Sequence, residues 1–241
     1  MELENTSADH TLSLWLDEIS AEGLMYDPDF RELGLPSQGL PRIEDAAPGT
    51  VESDSVVIDT EVFEEIGVMD FTDIMMTFSV TDYGSYDLEN NLAGEGTVHI
   101  YPHGQENAAV YVRESLAEDV VLADTADVTL TAVGYETDEE KGDFTATLYM
   151  QNKSDRALAF KLDENSLNGY MITSFPYGYG SYVYIPAGAS SYLPMEFDGE
   201  DLKENGITDV ETLEFRFHLC TTDDAGNAAE TLLEETYSLT P

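Results

Sequence analysis

The chain repeats itself, and its first copy starts late. Residues 49–102 align without a gap on residues 188–241, at a constant offset of 139. Gly49/Gly188, Asp59/Asp198, Glu61/Glu200, Glu65/Glu204, Gly67/Gly206, Asp70/Asp209, Phe78/Phe217, Glu95/Glu234, Thr97/Thr236 and Pro102/Pro241 are identical pairs. Apolar residues answer apolar residues between them, as in Val68/Ile207, Ile74/Leu213, Met76/Phe215, Val80/Leu219 and Ile100/Leu239. Further upstream the offset is 146: Leu12, Leu16, Asp17, Glu18, Ser20, Gly23 and Met25 meet Leu158, Leu162, Asp163, Glu164, Ser166, Gly169 and Met171. A register of that length means two copies of one domain. With 241 residues, each copy has room for one core of its own at roughly 100–130 residues. The expected division is 1–106 and 107–241, with a polar linker at 103–109.

The second copy opens with two segments that alternate as strands do, Asp127–Tyr135 and Asp143–Asn152, separated by a charged turn that ends in Gly142. The first copy has no counterpart, because Asn5-Thr-Ser7 aligns with Asn152-Lys-Ser154. Met1 therefore falls inside a strand, and two missing strands leave an apolar face and a sheet edge open. Three explanations stand: an internal methionine with coding sequence upstream, a designed or cloned fragment, or a strand supplied from elsewhere, such as another molecule. The first two together are preferred.

In the first copy, strands are expected at 10–17, 19–24, 51–58, 72–81 and 95–101, with a Pro- and Gly-rich loop at 26–48 and a short helix at 60–66. Near 119–123 a short strand precedes the second copy. There the strands fall at 127–135, 143–151, 157–163, 166–172, 182–185, 190–197, 212–220 and 233–239. Asp59 and Asp198 stand as helix N-caps, and Gly67 and Gly206 as left-handed C-terminal residues. Short strands at regular spacing, with few crossovers, predict antiparallel sheets packed as a sandwich. The expected class is all-β, with two tandem β-sandwiches, the first lacking its opening strands, and one short helix in each.

The second copy's turn residues also carry a family resemblance. Tyr149-Met-Gln-Asn-Lys-Ser-Asp155, the Asn168-Gly169 strand end, Ile185-Pro-Ala-Gly188, Asp201–Ile207 and Leu213-Glu-Phe-Arg-Phe217 resemble immunoglobulin-like sandwich modules of Gram-positive bacterial lipoproteins and surface proteins. Those modules often occur in tandem and mostly have no known function. The resemblance covers nearly all of the second copy and the first from Asn5. It implies an immunoglobulin-like fold and an extracytoplasmic location, secreted or anchored at the cell surface, given sequence upstream of Met1. It carries no catalytic residues across.

Charge narrows the partners. The chain has 9 Lys and Arg against 50 Asp and Glu, a net charge of −41. The acids are spread along the whole length, and 42% of residues are hydrophobic, so the chain folds rather than forming a disordered acidic tract. A field of that sign repels nucleic acid and anionic lipid. No apolar run approaches the ~20 residues that span a bilayer, so no membrane insertion is expected. Cys220 is the only cysteine, which rules out an internal disulfide; a buried residue near a strand end is expected.

No constellation points to catalysis or to a metal. His10, His99, His103 and His218 are scattered without ligand spacing, and no G-x-S-x-G is present. The acid clusters Asp138–Asp143, Asp198–Asp201 and Asp223-Asp224 with Asn227 do not follow a calcium-loop pattern and read as solvated turns. No cofactor, no metal site and no enzymatic activity are expected. The sharpest candidate for binding is an aromatic stretch, with Tyr170, Phe175, Tyr177, Tyr179 and Tyr182 as its residues and Tyr184 beside them. Tyrosine offers a flat apolar face and a hydroxyl, as recognition of a protein surface or a glycan requires. The leading expectation is a structural or protein-interaction module whose partner is another surface protein. A carbohydrate-binding module using loop 170–184 is the alternative. Trp15, the only tryptophan, lies on the face opposite Leu14 and Leu16.

Overall fold

A computed structural model describes residues 1–26, 42–56, 68, 70–82, 91–175, 182–223 and 227–241. The chain is all-β and divides into two compact units, Met1–Val112 and Arg113–Pro241. The division falls later than the sequence places it. Residues of the expected linker and just beyond are tied to the first unit, where Ala109 N donates to Thr72 Oγ1 at 2.9 Å and Tyr111 N to Glu22 O at 2.7 Å.

The second unit has two antiparallel sheets. One orders β8 (Val120–Asp124), β9 (Val128–Thr137), β10 (Phe144–Asn152) and β14 (Ser190–Phe197). The other orders β12 (Tyr170–Met171), β11 (Leu158–Leu167), β15 (Leu213–Thr222) and β16 (Ala228–Leu239), with β13 (Val183–Ile185) also paired to β11. Alternation on both sheets selects the buried set: Leu130, Leu148, Met195 and Phe197 on one, Phe160, Leu162, Phe215 and Phe217 on the other. One helix, α1 (Gly199–Glu204), follows β14. Its cap is as expected: the Asp198 carboxylate accepts from Glu200 N and Asp201 N, and Gly206 follows with φ 72°.

Among the described residues, the first unit reuses the plan with fewer strands. Its main sheet orders β7 (Leu92–Ile100), β6 (Ile74–Asp82) and β2 (Leu12–Ala21), with β3 (Leu24–Tyr26) and β4 (Arg42–Ala46) also paired to β2. The second sheet is a stump in which β1 (Glu2–Glu4) pairs only β5 (Val51–Ser53) among the described residues. The pairing Leu3↔Glu52 repeats Met150↔Ser191 of the second unit. Thus β1 is the tail of a β10-like strand, and nothing described stands in the place of β9. The helix expected at 60–66 lies outside the described residues.

Four expectations about strands need correction. Each of the pairs 10–17 with 19–24 and 157–163 with 166–172 is one long strand followed by a short one, because a bulge interrupts the alternation. The register shifts between Leu16 and Glu18 in β2, and between Asp163 and Ser166 in β11, where Glu164 takes a φ of 52°. The loop 26–48 contains β4, paired through Leu14↔Ile43 and Trp15↔Arg42. Of the strand expected at 51–58, β5 ends at Ser53, residues 54–56 are not strand, and 57 and 58 lie outside the described residues.

Both units are fastened by the same asparagine. Asn152 is fully buried, and its Nδ2 donates to the carbonyls of Arg156, Ile185 and Pro186 at 2.8, 3.1 and 2.8 Å. Its Oδ1 accepts from Ser154 N at 2.9 Å and Ser154 Oγ at 2.7 Å. In the first unit Asn5, also fully buried, donates to His10 O and Ala46 O, each at 2.8 Å, and accepts from Ser7 N and Ser7 Oγ. The N-x-S turn is thus a buried polar knot, satisfied in the same way twice.

Candidate functional site

The outer face of the sheet formed by β11, β15 and β16 gathers much of the unit's distinctive chemistry. Period two puts Ala159, Lys161 and Asp163 of β11 on the side away from Phe160 and Leu162. The register then lines up Cys220, His218 and Arg216 of β15 opposite them, and Glu234 of β16 opposite His218. Asp163 lies at the centre. Lys161 Nζ is 2.7 Å from its Oδ2, and His218 Nε2 is 3.1 Å from its Oδ1. His218 Nδ1 lies 3.8 Å from Glu234, while Arg216 reaches Glu164 at 2.8 Å and Glu234 at 3.8 Å. Burial works to raise the Asp163 pKa, but the Lys161 ammonium and His218 hold it below the ordinary carboxylate range. The bond to Asp163 in turn raises the Lys161 pKa.

Tyr182 joins this face. Lys161 Nζ stands 5.7 Å from its ring centroid, and its hydroxyl is 3.7 Å from Cys220 Sγ. The thiol contact, then burial, pushes the Tyr182 phenol pKa up. Cys220 is buried at the expected strand position. Tyr184 pairs with Ala159 and is exposed. The other aromatics go elsewhere. Tyr170 pairs with Leu167 at the far end of β11, six residues from Lys161 and so about 20 Å along the strand. Phe175 bridges to Glu196 of β14, in the opposite sheet. Tyr177 and Tyr179 lie outside the described residues. Sequence proximity thus does not make one aromatic patch of Tyr170, Phe175 and Tyr182. The charged partners Lys161, Asp163 and His218 went unremarked as a group because they come from strands more than fifty positions apart.

The first unit carries the same face with its cations removed. Asp17, Glu18 and Glu95 correspond to Asp163, Glu164 and Glu234, whereas Trp15, Ser79 and Thr77 replace Lys161, His218 and Arg216. Ser79 Oγ donates to Asp17 at 3.0 Å, and Trp15 Nε1 to Thr81 Oγ1 at 2.9 Å, with the Arg42 guanidinium 5.0 Å over the indole. Desolvation raises the pKa of both Asp17 and Glu18, and the charge of Glu95 adds to it. The corresponding carboxylates Asp163 and Asp17 are therefore shifted in opposite directions.

An open cleft of about 470 Å³ in the second unit lies between the β9–β10 turn and the segment after α1, lined by Tyr135, Phe144, Leu202, Ile207 and Pro241. Its charged lining residues, Glu136, Glu139 and Asp209, are all acids. Among the described residues no three His, Cys, Asp or Glu side chains group as metal ligands, and no helix is long and apolar enough to cross a membrane. No family model, no curated protein and no solved structure matches this chain.

Proposed function

We propose that the chain is a pair of immunoglobulin-like β-sandwich modules from an extracytoplasmic bacterial protein, secreted or anchored at the surface. It serves structural spacing or protein interaction rather than catalysis. The observation that carries this reading is the outer face of β11, β13 and β15. There Tyr182 and Tyr184 stand beside an ion-paired Lys161–Asp163–His218 row. Faces that mix tyrosine with paired charges suit a protein partner. Two measurements test the reading. Antibody labelling of intact source cells is expected to reach the protein, and confinement to the cytosol would overturn the location. Alanine at Tyr182 and Tyr184 is expected to weaken capture of the protein's surface partner while leaving the unfolding transition in place.

The alternative is glycan binding through residues 170–184. The exposure of Tyr170, Phe175 and Tyr184 favours it. Glycan-array retention that is lost on alanine substitution at Tyr177 and Tyr179, with the fold unchanged, would replace the protein-interaction reading.

A further inference from the structure

The first unit's copy of the charged face lacks the cations that its second-unit counterpart holds. A bulge after Leu16 turns two successive acids outward, Asp17 onto Ser79 Oγ at 3.0 Å and Glu18 onto the Thr77 hydroxyl. Ser79 pairs with Glu95 across β6 and β7, and the charge of Glu95 acts on both acids. Among the described residues, no lysine, arginine or histidine pairs with any of the three. The second unit shows cations held at the same three positions. Arg216 reaches Glu164 at 2.8 Å and Glu234 at 3.8 Å, and Asp163 takes Lys161 and His218 at 2.7 and 3.1 Å. The strand positions that supply His218 and Arg216 carry Ser79 and Thr77 in the first unit, side chains that end at a hydroxyl. The aromatic beside them is fixed. Trp15 pairs with Arg42, whose guanidinium lies 5.0 Å over the indole, and its Nε1 is tied to Thr81.

We infer that this face of β2, β6 and β7 is a second interaction surface, which receives an arginine side chain of a basic partner protein between Glu18 and Glu95, as Arg216 lies between Glu164 and Glu234. The inference goes beyond the face at Tyr182 and Tyr184, because it adds a separate surface in the other unit and names what its partner brings. Three arguments choose the occupant. The three acids leave a surplus of negative charge that nothing described neutralises, and a complementary charge from a partner gains most where its counterpart is already partly desolvated. Burial and mutual repulsion, which push Asp17 and Glu18 upward, show that desolvation at this place. A guanidinium is a planar fork with donors for two carboxylates at once, whereas an ammonium is a point charge. A metal ion needs ligands that converge, and among the described residues no three acids do so.

Trp15 is the only tryptophan and stands two residues from Asp17, so its emission reports this site alone. The test follows that emission in the full 241-residue chain as Gly-Arg-Val-Arg-Gly amide is added at about 0.15 M salt, where the diffuse acidic field is screened. A saturable one-to-one change is expected, and the same peptide with citrulline for arginine is expected to give none. Glu18→Gln with Glu95→Gln keeps the shape and removes both charges, so affinity is expected to fall at least about tenfold. Thr77→Arg supplies the cation from within and is expected to weaken binding by a similar factor; the glutamine pair decides the matter if that variant does not fold. Glu139→Gln with Glu140→Gln, in the second unit, is expected to bind as the native chain does. Equal loss in this control would overturn the proposal, because the diffuse field alone would then hold the peptide. Native affinity in the glutamine pair, or the same response to citrulline, would overturn it too. An equal change on adding calcium alone would put a metal there, and a change with chain concentration alone a second copy. Binding that emerges only with Arg31→Ala would overturn supply by a partner, since the chain's own arginine would hold the place. Tyr182 and Tyr184 are untouched in every variant, so the two surfaces fail separately.

Discussion

Asn152 shows how much one side chain holds at the residue scale. Its amide serves three carbonyls, of which Pro186 O also accepts from Ala189 N and Arg156 O from Ser154 Oγ, and its oxygen closes the Ser154 turn. Asn152→Ala removes the side-chain donor to the Ile185 carbonyl and the acceptor of the Ser154 turn, and a buried group left without its partner costs about 1–3 kcal/mol. The expected result is a drop of about 1–3 kcal/mol in the second unit's unfolding free energy, read from denaturant melts. Asn5→Ala is expected to do the same to the first unit, and Asn152→Ser is expected to rescue little, since a hydroxyl spans fewer partners. The N-x-S spelling was visible in the sequence as a turn. Its burial was not, because the carbonyls it serves lie 33 and 34 positions away in the second unit.

At the scale of elements, α1 and the β9–β10 hairpin depend on each other. Gly199 N donates to Asp143 Oδ1 at 2.8 Å, and the Lys141–Gly142 turn presses against Gly199 Cα. Gly199→Ala forces the turn away, and overpacking of this kind costs about 1–3 kcal/mol. The expected readout is a lower melting temperature for the second unit with its helix cap still formed, because Asp198 is untouched. Most elements were legible because alternation and punctuation agreed: Asp198 and Gly206 bracket α1, and β14 matches its expected bounds. Legibility failed where geometry breaks the period. The bulges in β2 and β11 looked like strand ends, and β4 was hidden because Arg42-Ile-Glu-Asp-Ala46 scarcely alternates and Asp45 takes a φ of 56°. The candidate face was legible only in its tyrosines. Lys161, His218 and Glu234 meet across strands, and a linear pattern does not carry cross-strand register.

Across the whole molecule, the two units are expected to answer acid in opposite directions. Asp119 is held below the ordinary carboxylate range, first by its bond from the Arg113 guanidinium, at 2.6 and 2.9 Å. A depressed folded pKa gives stability that is present above the unfolded value and lost as pH falls through the folded one. Glu18 is raised, chiefly by desolvation. The folded state then binds its proton first, so the first unit gains stability as pH falls from above the raised value toward the ordinary glutamate range. Glu18→Gln is expected to stabilise the first unit near neutrality, with the gain shrinking on acidification. Asp119→Asn is expected to weaken the second unit at neutrality, with the loss shrinking below about pH 4. Calorimetry across pH, following the two transitions separately, checks both signs; a single cooperative transition is not assumed for a two-unit chain.

Gly199 also has a meaning in terms of descent. The two copies shared one sequence when the duplication occurred, and this position now reads glycine in one and threonine in the other. Where a neighbouring backbone leaves no room for a single carbon, selection removes every replacement. Where no backbone stands so close, a site is free to drift. In a library of all single substitutions, position 199 is therefore expected to be nearly empty of anything but glycine, a constraint written in the gene and readable without any structure.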